Sequence, residues 1–155
     1  MDILTFDVGG RHCAFPADHV IQVVKMVEIT PLPGAPAVVE GVVNVRGTVV
    51  PVLDLRARFG LPPRAVDPGQ HLVILGGGTR AAAVRVDAAD DFISVPDGEV
   101  AGPGSFAEST TGVTSVRHLA GVAATVEDTT VILNLAEFLS SSESEALDHA
   151  LAPGG

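Results

Sequence analysis

The sequence predicts an all-β protein arranged as two small barrels, with few helices. Two observations carry that prediction. Short runs rich in Val and Ile recur at intervals of roughly ten residues, separated by Gly, Pro and Asp, the pattern of small barrels and sandwiches. About nine or ten such runs can be counted, too many for one five-stranded barrel and suitable for two. The composition agrees: 155 residues, 46% apolar and 18% charged, can bury a core. A chain of this size hides about 68 to 70% of its unfolded surface, so neither disulfides nor metals are needed for stability.

Leu4, Phe6 and Val8 alternate with polar residues and end at Gly9-Gly10, a hairpin signal leading to Cys13-Ala14-Phe15. Pro16-Ala17-Asp18-His19 makes a turn, and Val20, Ile21, Val23 and Val24 resume an extended course. Three prolines and a glycine between Thr30 and Pro36 forbid regular structure; a brief helical turn from Ala37 to Glu40, closed by Gly41, is expected next. Residues 42–53 form two strands turned at Arg46-Gly47. Asp54 caps a short helix, Leu55 to Phe59, that stops at Gly60, and residues 61–70 form an exposed loop.

In the second half, His71 to Leu75 and Ala81 to Val86 flank a turn at Gly76-Gly77-Gly78-Thr79, and Phe92 to Val95 ends at Pro96-Asp97-Gly98. Residues 99–115 are a long polar loop; Val116 to Val126 and Thr130 to Leu135 close the fold, joined at Glu127-Asp128. Asn134 as N-cap with Glu137 at the third position opens a helix through Phe138 and Leu139.

Charge excludes some functions. Nine Lys and Arg against nineteen Asp and Glu leave a net of -10, which repels nucleic acid, and six Phe with no Trp or Tyr leave little for base stacking. The excess is uneven. Residues 1–64 carry six basic and six acidic side chains, residues 65–155 three basic and thirteen acidic, so the balanced half is the expected docking half. No apolar run approaches the ~20 residues of a membrane span and the first residues lack a basic signal-peptide start, so a cytoplasmic protein with no membrane insertion is expected.

Catalytic patterns are not expected. Gly76-Gly77-Gly78 lacks the Lys-Ser/Thr pair and helix start of a phosphate loop. His12 and Cys13 are adjacent, so in a strand they point to opposite faces and cannot act as base and nucleophile. The single Cys13 rules out a disulfide or multi-cysteine zinc site, and His12, His19, His71, His118 and His149 show no close metal-ligand pairing. Asp90-Asp91 is expected to be a solvated turn, and Ser105 lies in Gly-Pro-Gly-Ser-Phe rather than a nucleophile elbow. No enzyme, cofactor or metal is expected.

One segment is specific: Gly41-Val42-Val43-Asn44-Val45-Arg46-Gly47-Thr48-Val49-Val50-Pro51-Val52-Leu53-Asp54-Leu55-Arg56. Asn44 can bond its neighbouring backbone, Gly47 permits the positive φ of a turn, and Pro51 blocks one ladder donor. Arg46 sits at the turn tip with five fixed donors; it either pairs internally, with Asp54 or Glu40, or meets a partner. This segment resembles the signature of the CheW family of chemotaxis coupling proteins. Phe6-x-Val8-Gly9, Val84-x-Val86-Asp87 and Val131-Ile132-Leu133-Asn134-Leu135-x-x-Phe138-Leu139 follow in the family's order, so the likeness spans residues 3 to about 140.

The resemblance implies two packed five-stranded SH3-like β-barrel subdomains with a short C-terminal helix. It implies one domain of two intertwined barrels over residues 1–140, then a polar tail or helix extension over 141–155. It further implies an adaptor that joins the cytoplasmic tip of a methyl-accepting chemoreceptor to the regulatory domain of a CheA-type histidine kinase, in flagellar chemotaxis or in another chemosensory pathway such as type IV pili. The recognition expected is a receptor tip in an apolar groove between barrels, with kinase contacts on barrel surfaces. Val20 matches the groove position, Arg46 the coupling arginine, and Gly41 and Gly47 backbone positions. Gln22 stands where many relatives carry Glu, and Ala83 where Gly is common, so the partner surface is expected to differ in detail. With no receiver domain beside it, the chain is expected to be unlike the two-domain relative CheV.

Overall fold

The computed structural model describes residues 1–76, 81–96, 100–101, 119–124, 129–133 and 141–151. Strands β1 (Asp2–Val8) and β2 (Arg11–Pro16) form a hairpin over Gly9-Gly10, whose φ values of 59° and 79° suit a two-residue turn matched to strand twist. A 3-10 turn at Ala17–His19 leads to β3 (Val20–Lys25). Then come β4 (Val39–Val45), β5 (Thr48–Leu53), helix α1 (Leu55–Phe59), β6 (His71–Leu75) and β7 (Ala82–Val86). The chain continues through β8 (Ala88–Ser94), β9 (Val100–Ala101), β10 (Leu119–Ala124) and β11 (Thr129–Leu133) to helix α2 (Ser141–Leu151).

These strands make two sheets. One has the order β8-β1-β2-β11-β10-β9, the other β3-β6-β7-β5-β4. The second is continuous in sequence and interrupts the first. Both are wired alike: β3 pairs β6, Thr30 bridges Val42 on β4, and β5 runs parallel to β7. In the first sheet β8 pairs β1, β9 pairs β10, and β11 runs parallel to β2. The first sheet is therefore a circular permutation of the second, its last two strands supplied by the N-terminus. In each, the opening segment reaches both edges: β3 and then Thr30 in one, β8 and then β9 in the other. That accounts for a sixth, two-residue strand where five were expected.

Strand alternation gives each barrel its own interior and a third core between them. Ile3, Ala14, Val95 and Ile132 fill the first barrel; Val43, Val50, Val52, Leu72, Ile74 and Ala83 fill the second. The opposite faces of the same strands meet in the largest cluster, where Phe6, Phe15, Leu53, Leu75 and Val84 join Leu55 and Phe59 of α1 and Leu147 of α2. Phe6 and Phe15 stack there with ring centroids 5.0 Å apart. Arg58 on α1 bonds Glu143 on α2 at 2.6 Å, so the C-terminal helix is held by an ion pair as well as by Leu147.

Several expectations shift. Glu40 and Gly41 lie inside β4, not in a helical turn, because the strand extends back to pair Val39 with Leu53. Asp90 and Asp91 belong to β8 rather than a turn; their charges lie on a strand at the sheet's edge, where charge discourages pairing with another chain. Gln70, expected in an exposed loop, is buried. The capped helix at α1 is as expected: Asp54 Oδ1 accepts from the Ala57 amide and Gly60 ends it at φ 70°. The Asn134 cap with Glu137, the Glu127-Asp128 joint, Ser105 and His118 lie outside the described residues.

Candidate functional site

The β4–β5 hairpin turns on two residues, Arg46 and Gly47, with φ of 52° and 86°. A type I′ turn, one of the two that match strand twist, needs positive φ at both positions. Gly47 takes it freely; Arg46 is the one non-glycine among the described residues that does so. Asn44 Oδ1 accepts from the Gly47 amide at 2.7 Å and locks the turn. Asn44, Arg46, Thr48 and Val49 are all exposed, so the tip offers a guanidinium beside an apolar side chain.

The internal partners considered for Arg46 are engaged elsewhere. Glu40 takes a forked bond from Arg85, with Nη2 at 2.6 Å and Nε at 3.1 Å, and Asp54 caps α1. Arg46 pairs with no carboxylate among the described residues. Neither of the two salt bridges considered for Arg46 is formed.

Val20 and Gln22 lie on β3, the strand at the far edge of the sheet order from β4. A register shift between them swings Ile21 outward, leaving it 60% exposed. Val20 is half-buried and packs against the shared core. Ile21, which the sequence did not single out, therefore carries the apolar surface of β3; Gly76 makes room for it, since a Cβ there would lie 3.1 Å from Ile21 Cδ1. Gly41 is buried and faces backbone: a Cβ would sit 2.2 Å from the Thr30 carbonyl oxygen.

A polar hub joins Asp87 and Arg56, which stand in two separate motifs and whose meeting cannot be read from the sequence. Asp87, between β7 and β8, accepts from the Gly9 amide, Gln70 Nε2 and Arg56 Nη2, and Arg64 Nη1 lies 3.0 Å away. Burial works to raise its pKa, but the Gly9, Gln70 and Arg56 contacts outweigh that and hold it below the usual carboxylate range. Arg85, two residues earlier, also donates to Gln70 Oε1 at 2.9 Å. The partners come from distant segments, so no local motif announces them.

For chemistry, Cys13 faces the shared core, and burial, with Asp7 adding to it, pushes its thiol up to about 12, so no thiolate forms at neutral pH. The Gly76–Thr79 turn runs into residues 77–80, outside the described set; β6 and β7 flank it as antiparallel partners, Leu75 opposite Ala82. Among the described residues no helix is long and apolar enough to cross a membrane.

The CheW-like domain model matches residues 2–143. The chemotaxis protein CheW of Klebsiella aerogenes is 24% identical over 148 residues, covering 96% of this chain and 87% of its own length. Protein FrzA of Myxococcus xanthus is 26% identical over 148 residues, covering 94% and 89%. The crystal structure of the scaffolding protein TtCheW from Thermoanaerobacter tengcongensis superposes with a TM-score of 0.80 at 27% identity, over 92% of this chain and 94% of that one. The architecture is thus the expected SH3-like pair of barrels with a C-terminal helix.

Proposed function

This chain belongs to the CheW-like domain family, a family of scaffolding adaptors, and we propose that it joins the cytoplasmic tip of a methyl-accepting chemoreceptor to the regulatory domain of a CheA-type histidine kinase, without catalysis. Both barrels, residues 1–140, act as one unit, with α2 as its extension. The adaptor works in the cytoplasm, drawn to receptor arrays by its partners.

The observation that carries this reading is Arg46, an exposed guanidinium unpaired within the described chain and presented on a strained, bonded hairpin tip. Such a fork suits a carboxylate or carbonyl on a partner surface. Gly47 keeps the tip free of a side chain. Val20, Ile21 and Gln22 supply an apolar edge with a polar neighbour, suited to the apolar face of a helical receptor tip. Gly41 serves by shaping the barrel rather than by contact.

Isothermal titration against the regulatory domain of a CheA-type kinase, followed by co-elution with a receptor fragment, tests the reading. Binding at or below about 100 μM supports it, within the range of weak signalling contacts. No heat and no co-elution at that concentration would sink it. The similar identities to FrzA and to the Klebsiella CheW, 26% and 24%, support a second reading, service to a chemosensory pathway with a non-flagellar output such as type IV pili. Deletion with separate scoring of swimming and of pilus-driven movement distinguishes the two.

A further inference from the structure

The Gly9-Gly10 turn sets Asp7 directly opposite His12 on the β1–β2 hairpin. On β1 and β2 these two continue the face that carries Ile3 and Ala14, the interior of the first barrel, but they lie at its end, where burial gives way to partial exposure. A third donor arrives from β8. There Leu4 pairs Phe92 while Phe6 pairs Ala89, so Asp90 and Asp91 together oppose Thr5, and this bulge places Asp90 beside His12. His12 Nε2 stands 3.3 Å from Asp90 Oδ2 and 3.9 Å from Asp7 Oδ1, and the three donor atoms lie within 4.8 Å of one another.

We propose that this rim of the first barrel is a binding site for a borderline first-row divalent cation of the Zn²⁺ type, held by Asp7, His12 and Asp90. One imidazole nitrogen and two carboxylates form a donor set for such ions, with water completing the coordination. Bonds of about 2.0 to 2.2 Å to a shared ion call for donor atoms a little over 3 Å apart, so the widest separation has to close by at most about 1.5 Å. The half-exposed side chains have room for that. Mg²⁺ is disfavoured, since it demands near-ideal octahedral oxygen geometry and gives up water reluctantly. An ion here would tie the edge strand β8 to the β1–β2 hairpin. The site shares no residue with the Arg46 tip or the Ile21 edge and stands or falls apart from the adaptor reading.

The test titrates Zn²⁺, and Co²⁺ as a spectroscopic probe, into the full chain, with melting curves of each variant taken without metal. Expected are one ion bound per chain, a Co²⁺ ligand-field band, no displacement by Mg²⁺ at equal concentration, and affinity at least about tenfold weaker in both His12→Ala and Asp90→Ala. Asp90 lies on an exposed edge strand, so that variant keeps its fold even where His12→Ala loses stability. No binding at about 100 μM, displacement by Mg²⁺, or undiminished affinity in Asp90→Ala overturns the proposal.

Discussion

Arg46 occupies a backbone region that costs an L side chain about 1 to 2 kcal/mol, and nothing within the described chain repays it through a salt bridge. Strain of this kind concentrates where a side chain is needed for something other than folding. Arg46→Gly relieves it, and the expected result is a melting temperature about 2 to 4 °C higher, for roughly 1 kcal/mol gained. The same variant should lose roughly 2 to 5 kcal/mol of binding in kinase coupling, as a partner group is left without its fork. Arg46→Lys should recover little of that, since a point charge does not replace two parallel donors. Thermal melts alongside reconstituted kinase activation with receptor and CheA measure both effects. Full coupling by Arg46→Gly would show that the side chain is not the contact.

At the scale of elements, Gly41 decides whether the second barrel can close. Its Cα lies where the Thr30 carbonyl crosses β4, and Thr30 and Val42 exchange two backbone bonds there, at 2.9 and 2.8 Å. Gly41→Ala drives a methyl into backbone, which cannot swing aside, so about 3 kcal/mol of stability should be lost, or roughly 6 to 12 °C in the melt. Unchanged melting would mean that the Thr30 bridge is dispensable. The sequence showed the glycine but not its reason, because the approach is made by a residue eleven positions earlier in a proline-rich segment. Where the rules are local, the elements were legible: the Gly9-Gly10 and Arg46-Gly47 hairpins, the Asp54 cap and the Gly60 stop all follow from turn and cap chemistry. Asp90-Asp91 misled for a physical reason: paired acids signal a turn, yet an edge strand carries them at no packing cost. The outward swing of Ile21 depends on a bulge that no sequence pattern marks.

At the scale of the whole molecule, the permuted wiring means that the first barrel closes only after the chain has run through the whole of the second and returned, and the chain passes from the second barrel into the first at Asp87. Legibility ends here, since a repeat that runs through the chain's ends leaves no simple period. Asp87 joins the two units electrostatically: Gly9 belongs to the first barrel's hairpin, Arg56 to α1, Gln70 and Arg64 to the connection before β6. Its carboxyl titrates lower in the folded chain than the ~3.9 of an unfolded aspartate. A depressed folded pKa contributes stability that is fully present above the unfolded value and is lost as pH falls through the folded one. Asp87→Asn leaves Arg56 without its counter-charge and Arg64 with Asp67 alone, and should cost on the order of 3 kcal/mol at pH 7. Below about pH 4 the wild type forfeits its own advantage, so the two stability curves should converge. Urea unfolding of both proteins across that window gives the comparison; a constant gap down through the acid limb would mean that Asp87 holds the barrels together by shape and neutral hydrogen bonds, not by charge.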